Sequence, residues 1–255
     1  MRFARDSNSA AAGDGDRGTA RQRGRDLFEL MVCYGLILVT IWTPRPLQRW
    51  FYGAALGWVV LSTCTSFAGW KAMGFRRTGL WHSLWVTGAA LLLAAIAVGV
   101  AARLHTLHAP SGMAMWIRTF AGYALWSFVQ QFLLQGYFLI RLLRLVPGEN
   151  WAAVTAAGIF AAAHLPNPIL TPVTLFWGLA ACMVFLRFRN IFPLAVAHAI
   201  FGITIAITIP GPVVHNMRVG LGYLTYRAPG IRHLSQSDHT VSTMEWVKEE
   251  APTRR

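Results

Sequence analysis

Residues 121–145 read AGYALWSFVQQFLLQGYFLIRLLRL. No Asp, Glu, Lys or Arg occurs from 119 to 140, and about 20 apolar helical residues are enough to cross a bilayer core. Three amides, Gln130, Gln131 and Gln135, interrupt this run near its middle. At about 100° per residue they fall within an arc of about 140°, with Gln131 and Gln135 an i, i+4 pair on one face. An unpaired amide at that depth costs on the order of a few kcal/mol. The three are therefore expected to face other helices or a wet cavity. Polar side chains in membranes commonly serve as interhelical hydrogen-bonding glue, and that reading stands beside a functional one.

Working outward, four more charge-free runs cover 50–70, 78–102, 150–186 and 190–217. The run 150–186 is too long for one crossing and is broken by Pro166, Pro168 and Pro172. It reads as two helices, roughly 151–164 and 171–187, since proline removes a backbone donor and disfavours helix before it. A weaker span, 27–43, tolerates Glu29 near its end. The runs lack the alternation of barrel strands, and lipid admits only helices or closed barrels. The expected fold is all-α, a polytopic membrane bundle of about seven transmembrane helices.

The net charge of +13 does not point to nucleic acid, because the basic residues punctuate the loops. Arg45 and Arg49, Lys71 with Arg76 and Arg77, Arg141 and Arg144, and Arg187 and Arg189 all flank spans. By the positive-inside rule the N-terminus is expected in the cytoplasm. Arg141 and Arg144 read most simply as a snorkelling helix end. Residues 1–26, rich in Gly, Ala, Arg and Asp, lack the apolar core of a signal peptide and read as a disordered basic tail. Cys33, Cys64 and Cys182 are isolated, with neither metal-ligand spacing nor a disulfide framework. Residues 27–110 hold the N-terminal transmembrane helices, 111–212 a core, and 213–255 an interfacial segment with a polar tail. In the last of these, HNMRVGLGYLTYR (215–227) reads as a headgroup anchor or, more sharply, as a lid.

Two further segments each carry one intramembrane histidine. His164 closes GIFAAAHLPNP, just before the helix break, and His198 lies in NIFPLAVAHAIFGITIAI with Gly202 one turn on. Between Glu29 and Asp238 the only carboxylate is Glu149, in a loop. A lone buried histidine is more often structural than functional. Two of them, together with three amides, put a functional site on an equal footing with the structural reading.

The strings QQFLLQ (130–135), FAAAH (160–164) and HAIFG (198–202) resemble the three motifs of the CPBP family of intramembrane proteases, which includes CAAX-processing and abortive-infection-like enzymes. That family has Glu-Glu-x-x-x-Arg, Phe-x-x-x-His and His-x-x-x-Asn. The flanks QGYFLIRLL, AHLPNP and RFRNIFPLAVAHA are similar as well. The resemblance covers about 120–210 and implies that 111–212 is a protease-like core. It also implies that a glutamate and histidines activate water against a peptide carbonyl, with an asparagine and a histidine holding the oxyanion. It places His164 and His198 at the two histidine positions. Gln130 and Gln131 fall at the glutamates, Gln135 at the arginine and Gly202 at the asparagine.

The four departures matter physically. An amide is not a usable base near neutral pH. General-base assistance is worth about 10²–10⁴-fold, and an oxyanion donor about 10²–10³-fold. Exchanging Glu and Arg together for Gln removes both charges while avoiding an unpaired buried one. The expectation is an endopeptidase-like protein of lost or altered activity, in which a histidine could still act as base. The alternatives are a non-catalytic binding protein, a small transporter with a neutral Gln/His cavity, and a bis-histidine haem protein that would leave the glutamines unexplained. No cofactor or metal is expected, because two histidines without a carboxylate ligate zinc poorly. The expected partners are membrane lipids and a lipidated or transmembrane peptide, not nucleic acid. The expected location is a bacterial cytoplasmic membrane.

Overall fold

In the computed structural model, residues 3–67 and 69–227 are described, with side chains from Thr19 onward. The polar C-terminal tail expected at 228–255 lies outside the described residues. Long helices follow the apolar runs: α1 (Phe3–Trp42), α2 (Arg45–Thr65), α3 (Leu80–Arg103) and α4 (Met113–Gln131). A π-helical segment, Phe132–Leu139, then continues into α5 (Ile140–Leu145). Beyond it come α6 (Glu149–Ala162), α7 (Leu170–Phe188) and α8 (Phe192–Thr208). The short α9 (Gly211–Val214), a 3₁₀ turn (His215–Met217) and α10 (Gly220–Leu224) close the described chain, which contains no strand.

The described residues form an all-α fold, consistent with a membrane protein. Of its helices, α3 and α7 are long and apolar enough to cross a bilayer alone, with mean hydropathies of 2.3 and 1.6, and α8 is a shorter apolar helix. The run 119–140, expected as one helix, is divided where α4 passes into the π segment. Outward faces are apolar: Leu91, Leu92, Leu93, Ile96 and Val100 of α3 are all exposed. Trp70, Trp81 and Trp85 are exposed near one end, as an interfacial aromatic belt requires.

The break between α6 and α7 falls where the prolines dictate, and small residues bring the two helices together. Ala152, Ala153, Ala156, Ala157 and Ala161 of α6 are buried, and a Cβ on Gly178 of α7 would lie 3.4 Å from the Ala157 backbone. Close backbone approach through small residues is how membrane helices associate without a hydrophobic drive. Helix α8 packs against both α3 and α4, which carries His198 into the interior.

The tail boundary expected at 26 is not a boundary in the structure. Helix α1 runs through it, and Asp26 and Glu29 are both buried. The physical reason is pairing with the two arginines read as a snorkelling end. Arg141 Nε and Nη2 donate to Glu29 Oε2 at 2.9 and 2.6 Å. Arg144 Nε and Nη2 donate to Asp26 Oδ2 and Oδ1 at 2.6 and 2.7 Å. Arg141 also stacks over the Tyr137 ring at 3.8 Å.

These pairs define one end of the bundle. Arg25 donates to Ser66 there, Asn190 donates to the Arg76 carbonyl, and Ile191 N–H to that of Gly74. Gly79 starts α3 at φ +80 with the Phe188 carbonyl where a side chain would go. Only glycine meets both conditions. The opposite end is marked by His108 N–H donating to Ile207 O and Gly220 N–H to Leu165 O. The arginine-rich loops at 71–77, 141–144 and 187–189 thus share one end with residues 21–29.

Candidate functional site

A cavity of about 360 Å³ lies between α4, α7 and α8. Its walls come from the first turns of α7, residues 119–130 of α4 and residues 198–206 of α8. It therefore occupies the half of the bundle away from the arginine-rich end. Gln130, His164, His198 and Gly202 line it, with Tyr123, Trp126, Trp177 and Phe201. A second cavity of about 160 Å³, between α1, α4 and α6, shares Gln130, His164 and Trp126 with the first. Among the described residues, no Asp, Glu, Lys or Arg lines either one.

The two histidines present opposite faces of their chemistry. His164 Nδ1 lies 2.8 Å from the Phe160 carbonyl, which can only accept, so Nδ1 carries a proton and, in the neutral ring, Nε2 keeps a lone pair. His198 Nδ1 lies 2.8 Å from Gln131 Nε2, an amide donor, so His198 Nδ1 accepts and Nε2 bears the hydrogen. Both imidazoles stand edge-on to the Phe160 ring, at 4.8 and 5.9 Å between centroids. One site thus offers a basic nitrogen and an N–H donor, both neutral.

The glutamines divide three ways. Gln130 faces both cavities. Gln131 is fully buried and orients His198 from behind, with its carbonyl oxygen unpartnered. Gln135 is fully buried, with both amide atoms unpartnered, and it lines neither cavity. The expected i, i+4 pairing of Gln131 with Gln135 rested on a regular α-helix. The π segment begins at Phe132, between them, and its i→i+5 bonding shifts the phase of everything after it. Such π-bulges are frequent at functional sites.

Two contributors were not singled out in the sequence, and a third comes from the segment 215–227, expected as an anchor or a lid. Asn167, in the Pro-Asn-Pro break, is fully buried. Its Oδ1 accepts from the N–H groups of Ile169 and Leu170, capping α7, and its Nδ2 donates to the carbonyls of Val214 and Arg218. An asparagine just ahead of a helical run is a legible cap signal, but its tie to 214–218 is tertiary. Asn216 and Met217, held by that tie, line the larger cavity with Val219. The segment read chiefly as a headgroup anchor therefore also walls the site. Burial, then the neighbouring Arg45 charge, lowers the pKa of Arg218 on this segment. The other contributor not singled out is Tyr123, seven residues before Gln130 and so on its face after two turns.

Asn167→Ala is expected to cost about 2–4 kcal/mol, from the lost cap and the newly unpaired buried carbonyls. It should also speed amide exchange across 211–219. Unchanged exchange there would show that Asn167 does not hold this wall.

Residues 112–204, somewhat more than a third of the chain, match the family model described as type II CAAX prenyl endopeptidase Rce1-like. No curated protein and no solved structure matches the chain.

Proposed function

We propose that this chain, whose residues 112–204 match the Rce1-like family model and resemble the CPBP intramembrane proteases, holds a membrane-proximal or lipidated peptide without cleaving it at an enzymic rate. The observation that carries this reading is the neutral cavity. Gln130 stands at the family's base position and, among the described residues, no carboxylate or guanidinium lines the walls. A neutral, partly aromatic cavity suits an extended apolar peptide and leaves nothing with the basicity of a carboxylate beside a bound water. Seven long helices, with α4, the π segment and α5 counted as one, serve as the spans in this reading. With the N-terminus inside a bacterial cytoplasmic membrane, the cavity lies in the outer half of the bilayer, and its partners are lipids and exported membrane-anchored segments.

One observation favours a second reading, slow histidine-based hydrolysis. His164 Nε2 has a lone pair to take a proton from water, and His198 Nε2–H can hold the carbonyl oxygen as the hydroxide adds to carbon. The proton would then pass to the leaving amine.

The test is mass-spectrometric cleavage and retention profiling of the purified chain against lipidated and transmembrane peptides, beside a His164→Ala, His198→Ala double variant. Retention of intact peptide by the native chain, lost in the double variant, is the expected result. Cleavage at an enzymic rate by the native chain, abolished in the double variant, would replace the proposal with the second reading. Transport of a small solute, or a haem absorption spectrum, would remove both.

A further inference from the structure

Gly202 has no side chain, yet the space beside it is filled. A Cβ placed there would fall on the hydroxyl of Tyr123. Tyr123 reaches across from α4, and Tyr123, His198 and Gly202 all line the larger cavity. His198 and Gly202 are four residues apart on α8, so the phenol stands about 6 Å along the helix from the imidazole level. His198 Nδ1 is occupied by Gln131, leaving Nε2–H as a donor, and a phenol supplies one O–H donor. The glycine is what lets the phenol approach the α8 backbone this closely.

We propose that Tyr123 Oη and His198 Nε2 are paired donors for a peptide carbonyl oxygen of the segment held in the cavity. Both are neutral and no cation among the described residues lines the site, so the acceptor they suit is a neutral carbonyl rather than a carboxylate, which calls for a cationic partner. A carbonyl oxygen has two lone pairs, one for each donor. Tyr123 is thereby a ligand-contacting residue that determines specificity for an amide. This rests on the peptide-holding reading above.

The test uses the full chain in detergent with two probes: an S-farnesylated Cys-Ala-Ala-Leu peptide, and analogues in which each amide in turn is replaced by an (E)-alkene. Tyr123→Phe should weaken the parent peptide by about 3- to 10-fold, the range of one net hydrogen bond. It should leave unchanged the affinity of the one analogue that lacks the recognised carbonyl. Gly202→Ala, which displaces the phenol, should give the same pattern. An equal loss on every probe would make Tyr123 only a space-filling residue and overturn the proposal, as would no loss on any. Failure of the native chain to bind any probe would overturn the peptide reading and this proposal together. Binding indifferent to the hydroxyl would overturn this proposal alone.

Discussion

Glu29→Leu is expected to destabilise the protein by about 3–5 kcal/mol, the range for breaking a buried ion pair and leaving one charge behind. The Arg141 side chain is only 5% exposed. Without Glu29 its guanidinium keeps the Tyr137 carbonyl, at 3.2 Å, and the Tyr137 ring, but no counter-charge among the described contacts. The reciprocal change is milder. After Arg141→Met, Glu29 still accepts from Ser66 Oγ at 2.7 and 2.9 Å and from Arg25 Nε at 2.8 Å. Arg25 is 40% exposed, so it screens incompletely, and a loss near the lower end, about 3 kcal/mol, follows. The Glu29→Leu, Arg141→Met double variant should recover much of either loss, because a buried pair exchanged for apolar residues is often neutral. Reversible unfolding in mixed micelles reads all three. Losses below about 1 kcal/mol for both single variants would mean that water reaches this pair as it does a surface bridge.

The second large effect concerns chemistry. Gln130→Glu should raise peptide hydrolysis by about 10²–10⁴-fold over the native chain, the usual worth of a general base. Gln130 already faces the cavity shared with His164 and His198, so the carboxylate would arrive where a water could be held. His198 Nε2–H remains to receive the oxyanion. Gln135→Arg should add nothing to turnover, because Gln135 is sealed away from both cavities. The gain should vanish in the Gln130→Glu, His198→Ala combination. Turnover unchanged by Gln130→Glu would show that the cavity does not place a scissile carbonyl within reach of position 130.

Much of the fold was legible because lipid imposes strong rules. The charge-free runs became helices, and the split at Pro166 and Pro168 fell within a few residues of the observed ends, Ala162 and Leu170. The candidate site was legible in part. His164, His198, Gln130 and Gly202 do share a cavity, and Gln131 does meet His198. Gln135 does not join them, because the pattern was projected on a regular helix and a π segment intervenes. By sequence, Asp26 and Glu29 fall at a tail boundary and in a weak span, since nothing local announces that arginines more than 100 residues away will pair with them.

What the sequence determined by itself is the class of solvent and the neutrality of the site. Twenty-residue runs without charge belong in a bilayer, and glutamine at 130, 131 and 135 cannot ionise whatever surrounds it. What only the tertiary structure decided is which of these groups meet and in what protonation. The Phe160 carbonyl fixes the proton on His164 Nδ1, the Gln131 amide fixes the opposite tautomer on His198, and a phenol from α4 occupies the space that Gly202 leaves open. Those are contacts between helices. Helical periodicity tells which way a side chain points along its own axis, but not what stands opposite it.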